Sequence, residues 1–199
     1  MNFIELSSEN ASRETKKLAD IIRQQYAPDA VVFVAKGAYR MGLELGELFD
    51  VPVLEIFAER KHSRLKRLAA PILQILPKKL KALLRAMEIN NGTHIKAPDR
   101  TVFWGKIPEK ACDIGFKKIL LVDDSCDTGN TFFQCIGKIR ERFPDAEIKT
   151  AAINVFSDSK KNISTDFYIY TDYIISGPWS NDSPEHEAFI SGYNEKFGK

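Results

Sequence analysis

Ile119-Leu-Leu-Val-Asp-Asp-Ser-Cys-Asp-Thr-Gly-Asn-Thr131 decides how the rest of this 199-residue chain is read. Four apolar residues run straight into two adjacent carboxylates, Asp123 and Asp124. A Thr-Gly turn follows, and then a helical pattern begins. An apolar run without polar alternation is what a parallel strand buried on both faces carries. Its C-terminal end opens into a loop suited to cradle an anion, at the sheet edge where ligands of open α/β folds sit. The plainer alternative is a strand-end carboxylate pair capping the next helix. That accounts for Asp-Asp alone, but not for the coincidence of the whole string.

Working outward, Ala30–Ala35 is a short apolar, β-branched run and predicts a second buried strand, with a turn over Lys36–Gly42 and a helix over Gly42–Phe49. Val51–Phe57 reads as a strand with Pro52 tolerated at its start. Ala11, Leu18, Ile21 and Ile22 recur at helical spacing and predict a helix over Ser12–Tyr26. Beyond the loop, Asn130–Phe143 reads as a helix and Ile148–Phe156 as a strand. Phe167–Ile175 reads as one or two more strands, and Thr101–Gly105 as a returning one. Strands alternating with helices predict an α/β fold with a parallel sheet and crossover helices.

A hydrophobic content of 44% suits one domain spanning residues 1–199, and 28% charged residues argue against disorder or a membrane span. Met1–Leu6 lacks the basic and apolar regions of a secretion signal, so a cytoplasmic protein is expected. Cys112, Cys126 and Cys135 have no C-x-x-C spacing and read as reduced thiols; His62, His94 and His186 have no metal-ligand spacing. Lys118–Asp124 also looks like the first strand of a receiver domain, but no strand-borne phosphoacceptor Asp with a later Lys stands at suitable spacing.

The string Ile119–Thr131 resembles, position for position, the 13-residue signature of the type I phosphoribosyltransferases. These bind 5-phosphoribosyl-1-pyrophosphate (PRPP) and transfer its ribose 5-phosphate to a base. The resemblance implies a parallel-sheet core (about 11–58 and 113–160), a helical insert (about 59–112) and a small C-terminal hood (about 161–199, with or without 1–8). Asp123 and Asp124 would accept hydrogen bonds from the ribose 2- and 3-hydroxyls. The turn Asp127-Thr128-Gly129-Asn130-Thr131 would hold the 5-phosphate through backbone N–H groups and hydroxyls at a helix start. Gly129 permits positive φ and close approach of the phosphate. Asp127 would be the general base or orienter for the purine N7 proton, and Asp at this position points to a 6-oxopurine. Mg²⁺ is implied as cofactor, held through PRPP with or without Asp123 and Asp124, without a dedicated protein site.

Ala35–Gly42 resembles the family's pyrophosphate loop: Lys36 and the backbone of Gly37 and Ala38 would meet the pyrophosphate, and the Ala35–Lys36 peptide would be cis. Phe167–Trp179 resembles the hood strand of bacterial xanthine–guanine type members. There Tyr173 occupies the base-stacking position, with Ile174 beside it. The sequence departs from that pattern at the lysine that reads the 6-oxo group. Its place holds Asn154, Val155 or Phe156, and the nearest lysines are Lys160 and Lys161.

Residues 60–85 carry nine basic side chains and no acidic one, so the rest of the chain is net −7 against a total of +2. Leu80, Leu83, Leu84 and Met87 share a helical face, and Pro71 and Pro77 divide the segment into short helices. A partner or self-association helix, a peripheral membrane-surface helix over residues 60–89 and an active-site lid all fit this pattern. Nucleic acid does not, because basic and aromatic residues fail to interleave. PRPP and a nitrogenous base are the expected partners, and a homo-oligomer is the expected assembly. Two alternatives stand beside a salvage enzyme: a PRPP- or nucleotide-sensing regulator of the same fold, and a transferase with a non-salvage acceptor at a membrane surface.

Overall fold

The strand Lys118–Cys126 is buried from Ile119 to Val122, and its alternate side chains enter two different cores. Leu120 and Val122 pack on one face of the sheet with Val31 and Phe33, while Ile119 and Leu121 pack on the other with Ala30, Val32 and Val34. Both faces are therefore covered, which is why the sequence shows continuous apolar runs there.

The computed structural model describes residues 2–60, 100–105, 115–157, 163–181 and 183–198. Among them the elements are β1 (Asn2–Glu5), α1 (Ser8–Arg23), β2 (Ala30–Ala35), α2 (Tyr39–Phe49), β3 (Val53–Arg60), β4 (Arg100–Trp104), β5 (Lys118–Cys126), α3 (Asn130–Arg142), β6 (Glu147–Val155), β7 (Phe167–Thr171), β8 (Tyr173–Ser176) and α4 (His186–Phe197). The chain divides into two compact units, residues 1–58 with 102–199, and residues 59–101. Of the second unit only residues 59–60 and 100–101 are described. The expectations for the basic insert over 60–89, and Lys160 and Lys161, lie outside the described residues apart from the strand end at 60.

The main sheet has six strands in the order β4-β3-β2-β5-β6-β7, and the pairs β2–β3, β2–β5, β5–β6 and β6–β7 are parallel. Helices α1, α2 and α4 cover one face through Leu18, Ile22, Leu45, Phe189 and Tyr193. Helix α3 covers the other through Phe132, Cys135 and Ile139. From β2 the chain moves through α2 to β3 on one side; from β5 it moves through α3 to β6 on the other. The strand order thus reverses between β2 and β5, whose C-terminal ends form the crevice where α/β folds bind ligands. No helix among the described residues is long and apolar enough to cross a membrane.

Several boundaries differ from the sequence expectations for identifiable reasons. Helix α1 starts at Ser8, not Ser12, because the Ser7 side chain accepts a hydrogen bond from the Asn10 N–H and caps it. Helix α2 starts at Tyr39, so the turn after β2 is shorter than Lys36–Gly42. Phe167–Ile175 becomes two strands in two sheets, broken at Asp172, whose φ is 61°. The second of these, β8, pairs in parallel with the N-terminal β1 to form a separate two-stranded sheet.

Candidate active site

Two segments meet at the β2/β5 crevice. The first follows β2. Its Ala35–Lys36 peptide is cis, Gly37 comes next, and Ala38 begins the entry into α2. The second is the C-terminal part of β5, which carries Asp123 and Asp124, with the turn that leads into α3. They touch where a Cβ placed on Gly37 would lie 2.7 Å from Asp124 Oδ1, so only a glycine lets this carboxylate lie against the loop backbone.

Asp123 is buried and its Oδ1 accepts the Asp124 N–H at 3.0 Å. Asp124 is half-buried. Lost hydration pushes its carboxyl above the usual range; the Asp127 charge adds to the rise, and the hydrogen bond with Asp123 opposes it. Asp127 is exposed, and its Oδ1 accepts the Ser125 hydroxyl at 3.1 Å. Thr128 is exposed beside it. Gly129 has φ 75° and forms the N-cap of α3 without a capping side chain, so the first turn at Asn130 and Thr131 opens onto this loop. Of the positions singled out by sequence, Asp124 and Gly37 are brought into contact across the two segments, and both line one cavity.

Ala38, expected to meet the pyrophosphate through its backbone, is tied to β2. Its N–H donates inward to Val34 O at 3.2 Å and its side chain is buried. The first loop offers Lys36, which is exposed, and Gly37. The Lys36 Nζ stands 4.7 Å from the centroid of the Tyr193 ring on α4.

The hood residues separate. Successive side chains of a strand point to opposite faces, so Tyr173 and Ile174 do not share one. The Tyr173 ring lies 5.3 Å from that of Tyr170, while Ile174 is exposed and is the cross-strand neighbour of the exposed Phe3. Asn154 is buried at the end of β6. Its Nδ2 donates to Tyr173 O at 2.9 Å and its Oδ1 accepts the Tyr173 N–H at 3.2 Å. The side chain at this candidate position for a base-reading lysine is thus committed to holding the hood backbone. A cavity of about 410 Å³ reaches from Gly37 and Asp124 past Tyr39, Ile153 and Trp179 to Phe189.

The sequence reasoning missed Tyr193 and the helix that bears it. Phe189, Tyr193 and Phe197 recur every fourth residue, a stripe that marks one face of a helix. It also missed Glu55, a buried carboxylate on β3 that accepts the Tyr193 hydroxyl. A lone Glu within an apolar strand carries no local sign of its partner.

Among the described residues no cluster of three or more His, Cys, Asp or Glu side chains could hold a metal ion. Two adjacent carboxylates at a strand end do suit an ion that arrives bound to phosphate oxygens and keeps much of its own water, as Mg²⁺ does.

The model of the phosphoribosyl transferase domain matches residues 6–188. Solved structures share the fold. The purine phosphoribosyltransferase of Pyrococcus horikoshii is 21% identical, with a TM-score of 0.60 over 92% of this chain and 97% of its own. The Helicobacter pylori xanthine-guanine-hypoxanthine phosphoribosyltransferase is 16% identical, with a TM-score of 0.62 over 93% and 99%. A hypothetical protein from Neisseria gonorrhoeae with bound ppGpp is 17% identical, with a TM-score of 0.57 over 96% and 97%. No curated protein matches the sequence.

Proposed function

This chain belongs to the phosphoribosyltransferase family, a family of transferases, and we propose that it moves ribose 5-phosphate from PRPP to a purine nitrogen, with a 6-oxopurine as the first acceptor to test. The observation that supports this reading is the close approach of Asp124 to Gly37, which brings the segment read as ribose-binding against the one read as pyrophosphate-binding at the switch point of the sheet. Asp123 and Asp124 accept the ribose 2- and 3-hydroxyls. The turn from Asp127 to Thr131 takes the 5-phosphate at the start of α3. Lys36 and the Gly37 backbone take the pyrophosphate.

In the reaction the C1–O bond to pyrophosphate breaks and a bond forms from the base nitrogen to C1. Positive charge builds on the sugar between these events. The chain's contribution is placement and charge stabilisation. Asp127, exposed at the crevice, orients the base and takes the proton its nitrogen gives up. Mg²⁺ bound with PRPP would supply neutralisation of the leaving pyrophosphate, with Asp123 and Asp124 the carboxylates at hand.

A second reading is a nucleotide-sensing protein of the same fold. It is favoured by the commitment of Asn154 to the hood backbone and by the fold shared with a protein holding ppGpp. One experiment separates the two: PRPP- and Mg²⁺-dependent pyrophosphate release over hypoxanthine, guanine, xanthine, adenine, uracil and orotate. Release with hypoxanthine, guanine or xanthine supports the transferase. PRPP binding with no release on any base moves the assignment to a sensor or another acceptor.

A further inference from the structure

We infer that Tyr193, on the C-terminal helix α4, is a positioning residue that presents the Lys36 ammonium to the departing pyrophosphate. The inference rests on the assignment of Lys36 to the pyrophosphate. A lysine side chain has four rotatable bonds and retains about 2 kcal/mol of rotamer freedom, so an exposed lysine is poorly pre-organised for one task. Here the Lys36 Nζ lies over the face of the Tyr193 ring, 4.7 Å from its centroid, within the range at which a cation is held by an aromatic quadrupole.

The ring itself has little freedom. Tyr193 is only 3% exposed, its ring meets Tyr39 edge-on at 5.5 Å, and it stacks on Phe197 at the same separation. Its hydroxyl donates to the buried carboxylate of Glu55 on β3. Burial, followed by the Glu55 hydrogen bond and charge, raises the phenol pKa, so the ring stays a neutral donor. A phenol that donates to a carboxylate gains electron density, which strengthens the face turned to Lys36. Gly192 lets this helix seat closely: a Cβ there would lie 2.8 Å from the Tyr39 hydroxyl. Residues from β3, α2 and α4 thus converge to hold one cation beside the crevice.

The test is a double-mutant cycle between Tyr193 and Lys36, read as the Kd of PRPP and of inorganic pyrophosphate, each with Mg²⁺, on the full chain. Tyr193→Phe keeps the ring and loses the Glu55 bond. Tyr193→Leu loses both, so the difference between the two isolates the ring. A cation–aromatic contact of this kind corresponds to a roughly two- to five-fold weaker Kd in the Leu variant than in the Phe variant. In a Lys36→Ala background the difference should vanish. Should the Leu variant fail to fold, 3,4,5-trifluorophenylalanine at 193 replaces it, being close to Phe in form with its negative face nearly cancelled. A Phe–Leu difference that persists without Lys36 would overturn the inference. Lys36→Ala with an unchanged Kd for pyrophosphate would instead overturn the assignment of Lys36, a separate and distinguishable failure.

Discussion

Asp124 Oδ1 occupies the space that a side chain on Gly37 would need, with only 2.7 Å to a hypothetical Cβ. Gly37 lies in the turn after β2 and Asp124 in β5, yet each limits the other. Gly37→Ala should displace the carboxylate by the better part of an ångström. Misplacement on that scale costs on the order of a hundred-fold in turnover. Gly37 is not in a positive-φ conformation, and the opposing atom is a side-chain end, so stability should change by no more than about 1 kcal/mol. Steady-state kinetics beside urea unfolding checks both statements.

Asp123→Ala combined with Asp124→Ala should abolish PRPP binding while leaving the far-ultraviolet circular dichroism unchanged. Both carboxylates sit at a strand end, outside the apolar run that holds the sheet together. Retained PRPP affinity in that variant would remove the basis of the proposed chemistry.

The raised carboxyl of Asp124 carries a pH signature. An acid whose folded pKa lies above its unfolded value, 3.8, holds its proton more tightly when folded. Stability due to this group is then greatest below the unfolded value and declines as pH rises through the folded one. At neutral pH the ionised group opposes folding. Asp124→Asn should therefore raise Tm at pH 7 in the presence of a metal chelator, and the gain should disappear below the unfolded pKa. A Tm difference independent of pH would contradict the desolvation argument.

Asn154 joins β6 to β8 by accepting from and donating to the Tyr173 backbone. Asn154→Ala leaves two backbone groups in the hood without that partner. At about 1 kcal/mol per lost hydrogen bond, and more where a group stays buried, it should cost about 2–3 kcal/mol. Asn154→Lys should not restore the family's base reading, because the same two bonds are lost and a charge is placed where a buried amide stood. Urea midpoints and base affinities of both variants check this.

Tyr173 and Ile174 present opposite faces of β8, so each can be tested apart. Stacking of a base on an aromatic ring is worth about 0.5–1.5 kcal/mol, or roughly two- to ten-fold in Kd. If the Tyr173 face meets the base, Tyr173→Leu should weaken base binding by that factor while Ile174→Thr leaves it unchanged. The reverse outcome would assign the base to the face shared by Ile174 and Phe3.

What the sequence by itself determined is local. The apolar run Ile119–Val122, the carboxylates after it and the turn at Gly129 specify strand, loop and helix start within thirteen residues, because burial pattern, φ freedom and helix initiation act over a few positions. The run over Ala30–Ala35 and the Gly after Lys36 were legible for the same reason. Tertiary structure alone decided which segments meet. It paired the N-terminal β1 with β8, turned Asn154 onto the hood and turned the Ala38 N–H inward. It also set the Tyr193 hydroxyl on Glu55, 138 positions away along the chain. Such contacts depend on how both faces of the sheet are covered, and no local preference of Glu55, Asn154 or Tyr193 encodes its partner.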